Sequence, residues 1–152
     1  MKSTYYISGV FLAWCLLLGG LITQVHAAET FKLTIYGNNE KGFHDKNGEI
    51  INNSVWKVAK GTQVEITFKF DGAMDPAEEE EHEIHMQLLK YENGETPDKK
   101  LVVQRLKPLS PTNLESVLKF TAGEFGEGIL KIYCKTECDG MDYMDNLRIE
   151  VN

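Results

Sequence analysis

The chain has 152 residues, about one domain's length, and carries a formal net charge of −7 at pH 7. This negative charge argues against binding to nucleic acid or to an anionic membrane, because their phosphates would repel the protein. The sequence also lacks a phosphate-binding loop, a nucleophile elbow and an HExxH motif. We therefore expect a binding protein rather than an enzyme.

Residues 1–27 have the features of a secretory signal peptide. Lys2 precedes an apolar run at residues 7–22, and small residues follow before a cleavage site ahead of Ala28. The run is shorter than the roughly 20 residues that a membrane-spanning helix needs, although a retained membrane anchor is the alternative. We predict a periplasmic or secreted protein that has no membrane association after cleavage. Its mature part, residues 28–152, would have a net charge of −8, because the leader contains no charged residue besides Lys2.

Alternation of apolar and polar residues predicts β-strands along most of the mature chain. In residues 62–70, for example, Val64, Ile66 and Phe68 share one face. The predicted strands are residues 30–36, 55–58, 62–70, 82–91, 101–106, 114–121, 128–134 and 147–151. Residues 37–48 are rich in glycine, asparagine and charge and are predicted to form a loop. Short strands, regular turn signals and no amphipathic helix predict an all-β fold, an antiparallel Greek-key β-sandwich of seven or eight strands.

The loop predicted at residues 71–81 contains four consecutive glutamates at positions 78–81. A charge run of this kind usually forms a solvated loop. The functional alternative is an acidic lip that attracts a cation to a neighbouring metal site.

The sulfur-containing side chains concentrate between the last two predicted strands. Residues 133–144 read YCKTECDGMDYM and contain both cysteines that follow the leader, Cys134 and Cys138, together with Met141 and Met144. Thiolate and thioether groups are soft ligands that select copper(I) over hard cations. The segment therefore predicts a copper site.

A histidine from a mid-chain strand would complete such a site, and two are available. His82 has the same parity as Ile84 and Met86, so we expect its side chain to point into the sandwich near Cys134. His85 has the opposite parity and should point outward unless the strand bulges. His82 is the preferred ligand, and His85 is the second choice.

At three segments the chain resembles the cupredoxins, which include the blue copper proteins and the binuclear copper domains of cytochrome oxidase subunit II. The segments are residues 61–68 (GTQVEITF), 82–84 (HEI) and 128–134 (GILKIYC), the last leading into the sulfur-rich loop. The resemblance implies a cupredoxin-like sandwich with copper as cofactor, used for electron transfer or for copper handling. Its partners would then be the copper ion and a redox or copper-acceptor protein, and a homodimer is a further expectation.

The ligand set departs from both kinds of cupredoxin site. No histidine follows Cys134, whereas a histidine follows the cysteine within a few residues in blue copper sites. In binuclear sites two cysteines four apart are followed by a histidine and a methionine, but Asp142 and Asp145 hold those places here. The candidate metal ligands are His82, His85, Cys134, Cys138, Met141 and Met144. This softer set favours copper(I) and, with it, copper delivery.

Three other interpretations stay open. Exported proteins commonly form disulfides, so a Cys134–Cys138 disulfide could fasten the loop of a metal-free binding or assembly module. The two cysteines could instead act in thiol–disulfide exchange. Asp139, Asp142 and Asp145 could bind a hard cation.

Overall fold

The structure is a computed structural model that describes residues 29–74, 80–90, 99–126, 128–135 and 144–152. The described residues form nine β-strands in two sheets and contain no α-helix. The strands are β1 (Thr30–Asn38), β2 (Gly42–His44), β3 (Val55–Val58), β4 (Gln63–Phe70), β5 (Ile84–Lys90), β6 (Lys99–Arg105), β7 (Glu115–Thr121), β8 (Ile129–Cys134) and β9 (Leu147–Val151). Within these ranges, no helix is long and apolar enough to span a membrane.

The two sheets share one hydrophobic core. The first has the strand order β2-β1-β4-β7 and the second β3-β9-β8-β5-β6. Ile66 and Phe68 of the first sheet are buried in the same cluster as Met86 and Ile132 of the second. Burial alternates along β4 as its sequence predicts, with even-numbered residues inside. The predicted all-β sandwich is confirmed.

The structure differs from the prediction in two details. The short strand β2 lies inside the segment that was predicted to be a loop, because three residues are too few to show an alternating pattern; all three are buried. The pairs β1–β4 and β3–β9 are parallel, whereas an antiparallel arrangement was expected throughout. Alternation fixes which face of a strand is buried and leaves the direction of its neighbour undetermined.

Several strands end close together at one end of the sandwich. Gly37 near the end of β1 pairs with Phe70 at the end of β4. The ring of Phe70 lies 6.0 Å, centroid to centroid, from that of His82, which lies two residues before the start of β5. Cys134 ends β8 and pairs with Ile84 at the start of β5. This end of the fold therefore brings His82 and Cys134 together.

Candidate metal centre

The side chains of His82 and Cys134 are in contact. Nδ1 of His82 lies 4.0 Å from Sγ of Cys134. Both residues lie on the same face of the sheet, because Cys134 pairs with Ile84 and His82 is two positions before Ile84. His82 is held at this place by a backbone bridge to Leu109. The juxtaposition is the expected one, and the role of the two residues as metal ligands stays a prediction.

His82 is shielded from solvent, and Cys134 is partly shielded. His82 is 0% exposed, and Cys134 is half-buried and packs against the hydrophobic core. Burial lowers the pKa of His82 below its ordinary value, and the hydrogen bond with Glu80 offsets only part of this effect. The imidazole is therefore neutral at neutral pH, which is the form that binds a metal.

Glu80 lies behind the imidazole as a buried carboxylate. Its Oε1 is 2.9 Å from Nε2 of His82 and accepts a hydrogen bond from the backbone N–H of Asn39 at 2.6 Å. Its Oε2 accepts a hydrogen bond from the backbone N–H of Ala73 at 2.9 Å. Glu80 is only 6% exposed, so the prediction of a solvated glutamate run is wrong at this position. A carboxylate can be buried where donors meet its oxygens, as they do here.

His85 occupies the other face of β5. It lies opposite Tyr133, the residue before Cys134, and its ring makes an edge contact with the tyrosine ring at 5.7 Å. The parity predicted this face, but His85 is covered and only 2% exposed. Its Nε2 is 2.7 Å from Oε1 of Glu83, while its buried Nδ1 has no hydrogen-bond partner among the described residues. Of the two candidate histidines, the structure places His82 beside Cys134.

Met144 lies at the same end of the sandwich. It is 2% exposed and belongs to the core cluster. Its methyl carbon would be 3.1 Å from a Cβ on Gly37, so the absence of a side chain at Gly37 leaves room for it. The other two predicted ligands, Cys138 and Met141, lie outside the described residues.

The sequence interpretation did not single out His44, which is also buried. Its Nδ1 is 3.0 Å from the carbonyl oxygen of Gly42, and its Nε2 is 3.0 Å from a carboxylate oxygen of Asp71. Both ring nitrogens are thus engaged within the protein. His44 therefore has a structural role: it connects the end of β2 to Asp71, which follows β4.

Two further observations limit which of the described residues could form a metal site. In the part of the chain that the structure describes, no group of three or more His, Cys, Asp and Glu side chains could hold a metal ion. Asp145, one of the three aspartates considered for a hard cation, forms an ion pair with Lys131 at 3.0 Å. Asp139 and Asp142 lie outside the described residues.

The separation of the imidazole and the thiol fits a shared metal ion. Bonds from zinc to imidazole nitrogen and to thiolate sulfur are about 2.0 Å and about 2.3 Å long, so one such ion spans at most about 4.3 Å. The observed nitrogen–sulfur distance of 4.0 Å lies within that limit. A neutral imidazole and a thiolate also form a donor set of the kind found in copper proteins.

Comparisons with known proteins bear on the fold. No family model matches the chain, and no curated protein matches its sequence. One similar solved structure is dithionite-reduced auracyanin from the photosynthetic bacterium Roseiflexus castenholzii (TM-score 0.51, 17% identity, covering 83% of this chain and 99% of that chain). Another is auracyanin A, described as a "blue" copper protein, from Chloroflexus aurantiacus (TM-score 0.51, 16% identity, 81% and 99% coverage). The chain therefore has the cupredoxin-like fold that the three sequence segments predicted.

Proposed function

We propose that this chain is an exported copper protein of the electron-transfer type, with Nδ1 of His82 and the thiolate of Cys134 as copper ligands. The observation that carries the proposal is the 4.0 Å contact between these atoms at one end of a cupredoxin-like sandwich. Support comes from the similarity in fold to auracyanin A, which is described as a "blue" copper protein. When bound, copper would supply a one-electron redox couple.

The protein surroundings suit electron transfer. His82 is fully buried, and backbone pairing holds His82 to Leu109 and Cys134 to Ile84. Ligands fixed in this way hold a similar geometry in both oxidation states. Met144 is the candidate thioether ligand among the described residues, and Cys138 and Met141 are candidates from the sequence. The electron would pass to or from a redox protein partner.

Copper delivery is the second candidate function. Its support is that no histidine follows Cys134, whereas four sulfur-containing residues lie within positions 134–144. Such soft ligands favour copper(I). In this case the partner would be a copper-acceptor protein, or a homodimer would complete the site.

Titration of the reduced chain without residues 1–27 with copper(I) under argon, followed by oxidation, separates these functions. An intense thiolate-to-copper band in the visible spectrum is expected for electron transfer. Tight colourless copper(I) binding that resists oxidation would instead support delivery. A stable Cys134–Cys138 disulfide that blocks uptake, seen as a two-hydrogen mass deficit, would support the metal-free module.

Two variants test the ligand assignment. Cys134→Ser and His82→Gln should each abolish the visible band, whereas His85→Gln is the matched histidine control and should retain it. Retention of binding in Cys134→Ser, or loss in His85→Gln with retention in His82→Gln, would overturn the proposed pair.

The proposed export depends on residues 1–27, which lie outside the described residues. The mass of the protein recovered from its own cells should correspond to a chain that begins at Ala28. A mass that includes the leader, found in the membrane fraction, would instead support the retained anchor.

A further inference from the structure

We infer that Glu80 is a positioning residue for the proposed copper centre: it holds the proton of His82 on Nε2, so that Nδ1 presents its lone pair to Cys134. The copper consequences rest on the function proposed above. The effect on the proton position of the imidazole is already present in the metal-free protein and can be measured there. This role could not be predicted from the sequence, because Glu80 is one of four consecutive glutamates.

The donors around the carboxylate determine the direction of its bond with His82. The backbone N–H groups of Asn39 and Ala73 can only donate, so they use the two oxygens as acceptors and stabilise the ionised carboxylate. An ionised carboxylate has no proton to give, so the 2.9 Å contact requires that Nε2 of His82 donates. In a neutral imidazole Nδ1 then has the lone pair, and Nδ1 is the nitrogen that lies 4.0 Å from Sγ of Cys134.

The carboxylate is fixed in place from three directions. Asn39 belongs to the turn after β1, Ala73 to the segment after β4, and His82 to the segment before β5. Gly72 closes the remaining side, because a Cβ there would collide with the carboxylate of Glu80. A carboxylate held in this way imposes one orientation on the imidazole ring of His82, to which it is hydrogen-bonded.

The pair Glu83–His85 provides an internal comparison. It has the same spacing of two residues and a similar contact, 2.7 Å between Oε1 of Glu83 and Nε2 of His85. The side chain of Glu83 is 33% exposed, however, and it also faces Lys135 at 3.8 Å. The pair lies on the face of β5 opposite to Cys134. Glu83→Gln is therefore the matched control for Glu80→Gln.

A glutamine cannot reproduce the interactions of Glu80. Its amide NH₂ would face at least one of the three donors, so one contact becomes unfavourable. The His82 ring should then populate both neutral tautomers, because the glutamine can turn either its oxygen or its NH₂ toward Nε2. A carboxylate behind a ligating histidine also raises the basicity of that ligand, and the loss of such a partner typically weakens metal binding by about 10–100-fold.

The metal-free test uses long-range ¹H–¹⁵N NMR spectra of the reduced protein labelled with ¹⁵N-histidine. We expect His82 to have its proton on Nε2 in the wild type and in Glu83→Gln, and to show a mixture of tautomers in Glu80→Gln. A proton on Nδ1 in the wild type would overturn the inference without any variant, even if Glu80→Gln fails to fold. An unchanged tautomer in a folded Glu80→Gln protein would also overturn it.

The copper test measures affinity and reduction potential in the same three proteins. Glu80→Gln should bind copper(II) about tenfold more weakly relative to copper(I) than the wild type does, a rise of about 59 mV in the one-electron potential. Glu83→Gln should stay close to the wild type. Equal shifts in both variants would show a general charge effect and overturn the specific role of Glu80. If the wild type binds no copper, the proposed function fails, while the tautomer result still decides the role of Glu80 in the metal-free protein.

Discussion

Gly72 and Glu80 occupy adjoining space at the end of the sandwich where His82 and Cys134 meet. A Cβ at position 72 would collide with the Glu80 carboxylate, which is fixed by its own hydrogen bonds. We predict that Gly72→Ala lowers the free energy of unfolding by about 1–3 kcal/mol, the usual cost of overpacking. Urea denaturation of the reduced metal-free protein measures this change.

A double-mutant cycle identifies the cause of that loss. In a Glu80→Ala background the colliding carboxylate is gone, so Gly72→Ala should cost clearly less than it does in the wild type. An equal cost in the two backgrounds would show that backbone conformation, and not the carboxylate, requires glycine at this position.

The buried imidazole of His82 predicts a loss of stability in acid. Burial lowers its pKa in the fold below the ordinary value of 6.5. Between the folded and unfolded pKa values the unfolded chain binds more protons, so this contribution to stability is complete above pH 6.5 and declines as the pH falls below it. Unfolding free energies of the reduced metal-free protein should therefore decrease between about pH 7.5 and about pH 5. In His82→Gln the decrease should be smaller, and an identical decrease would assign the acid sensitivity to other groups.

At the residue scale, the sequence predicted which face of the sheet each candidate histidine occupies better than it predicted which residues surround that histidine. Parity indicated that His82 points inward, and the structure agrees. The same rule put His85 on the outer face, but it did not show that Tyr133 covers it. Glu80 was missed because its donors, Asn39 and Ala73, come from other segments. The available signal was the Glu-x-His spacing, which puts both side chains on one face of an extended chain.

At the element scale, the pairing of β5 with β8 sets the register that puts Cys134 opposite Ile84. The alternating patterns of both strands were visible in the sequence. Their partners were not, because alternation says nothing about which strands pair; the parallel β1–β4 pair is the clearest case. The glycines that precede β8 provide a test of how far the register and the site depend on each other.

Gly128 lies at the opposite end of β8 from Cys134, about 20 Å away along a strand that rises about 3.3 Å per residue. Its φ is +135°, and a Cβ would collide with the carbonyl oxygen of Leu89. We predict that Gly128→Ala lowers the free energy of unfolding by about 2–5 kcal/mol, from strain and overpacking together. The visible spectrum of the folded, copper-loaded variant should be unchanged.

Gly126→Ala is the matched control for this substitution. Gly126 also has a positive φ, +100°, but no atom of the described residues lies within 4 Å of its potential Cβ. Gly126→Ala should therefore lower the free energy of unfolding only by the backbone strain, about 1–3 kcal/mol. Equal costs for the two substitutions would contradict the collision with Leu89, and a changed spectrum in Gly128→Ala would mean that the copper site depends on the whole strand.

At the scale of the molecule, one core joins the two sheets, and the candidate site uses residues from both sides of it. Cys134 ends β8 of the second sheet and His82 lies two residues before β5 of the same sheet, whereas Asn39 and Ala73, which hold Glu80, follow strands of the first. A metal ion held by His82 and Cys134 would therefore bind where the chain is folded, because only the fold brings these segments together. Any ligand that prefers the folded state also raises its stability by mass action.

Copper loading should accordingly raise the unfolding temperature of the whole domain. Free copper(I) at 100 times its dissociation constant adds about 2.7 kcal/mol to the free energy of unfolding, which corresponds to roughly 10 °C for a domain of this size. Copper(I) bound by cysteines in the unfolded chain would reduce the rise. Calorimetry under argon with a buffered copper(I) supply measures it. Cys134→Ser, which retains the fold's core but lacks the thiolate, should show little or no shift, and an equal rise in this variant would place the copper elsewhere on the molecule.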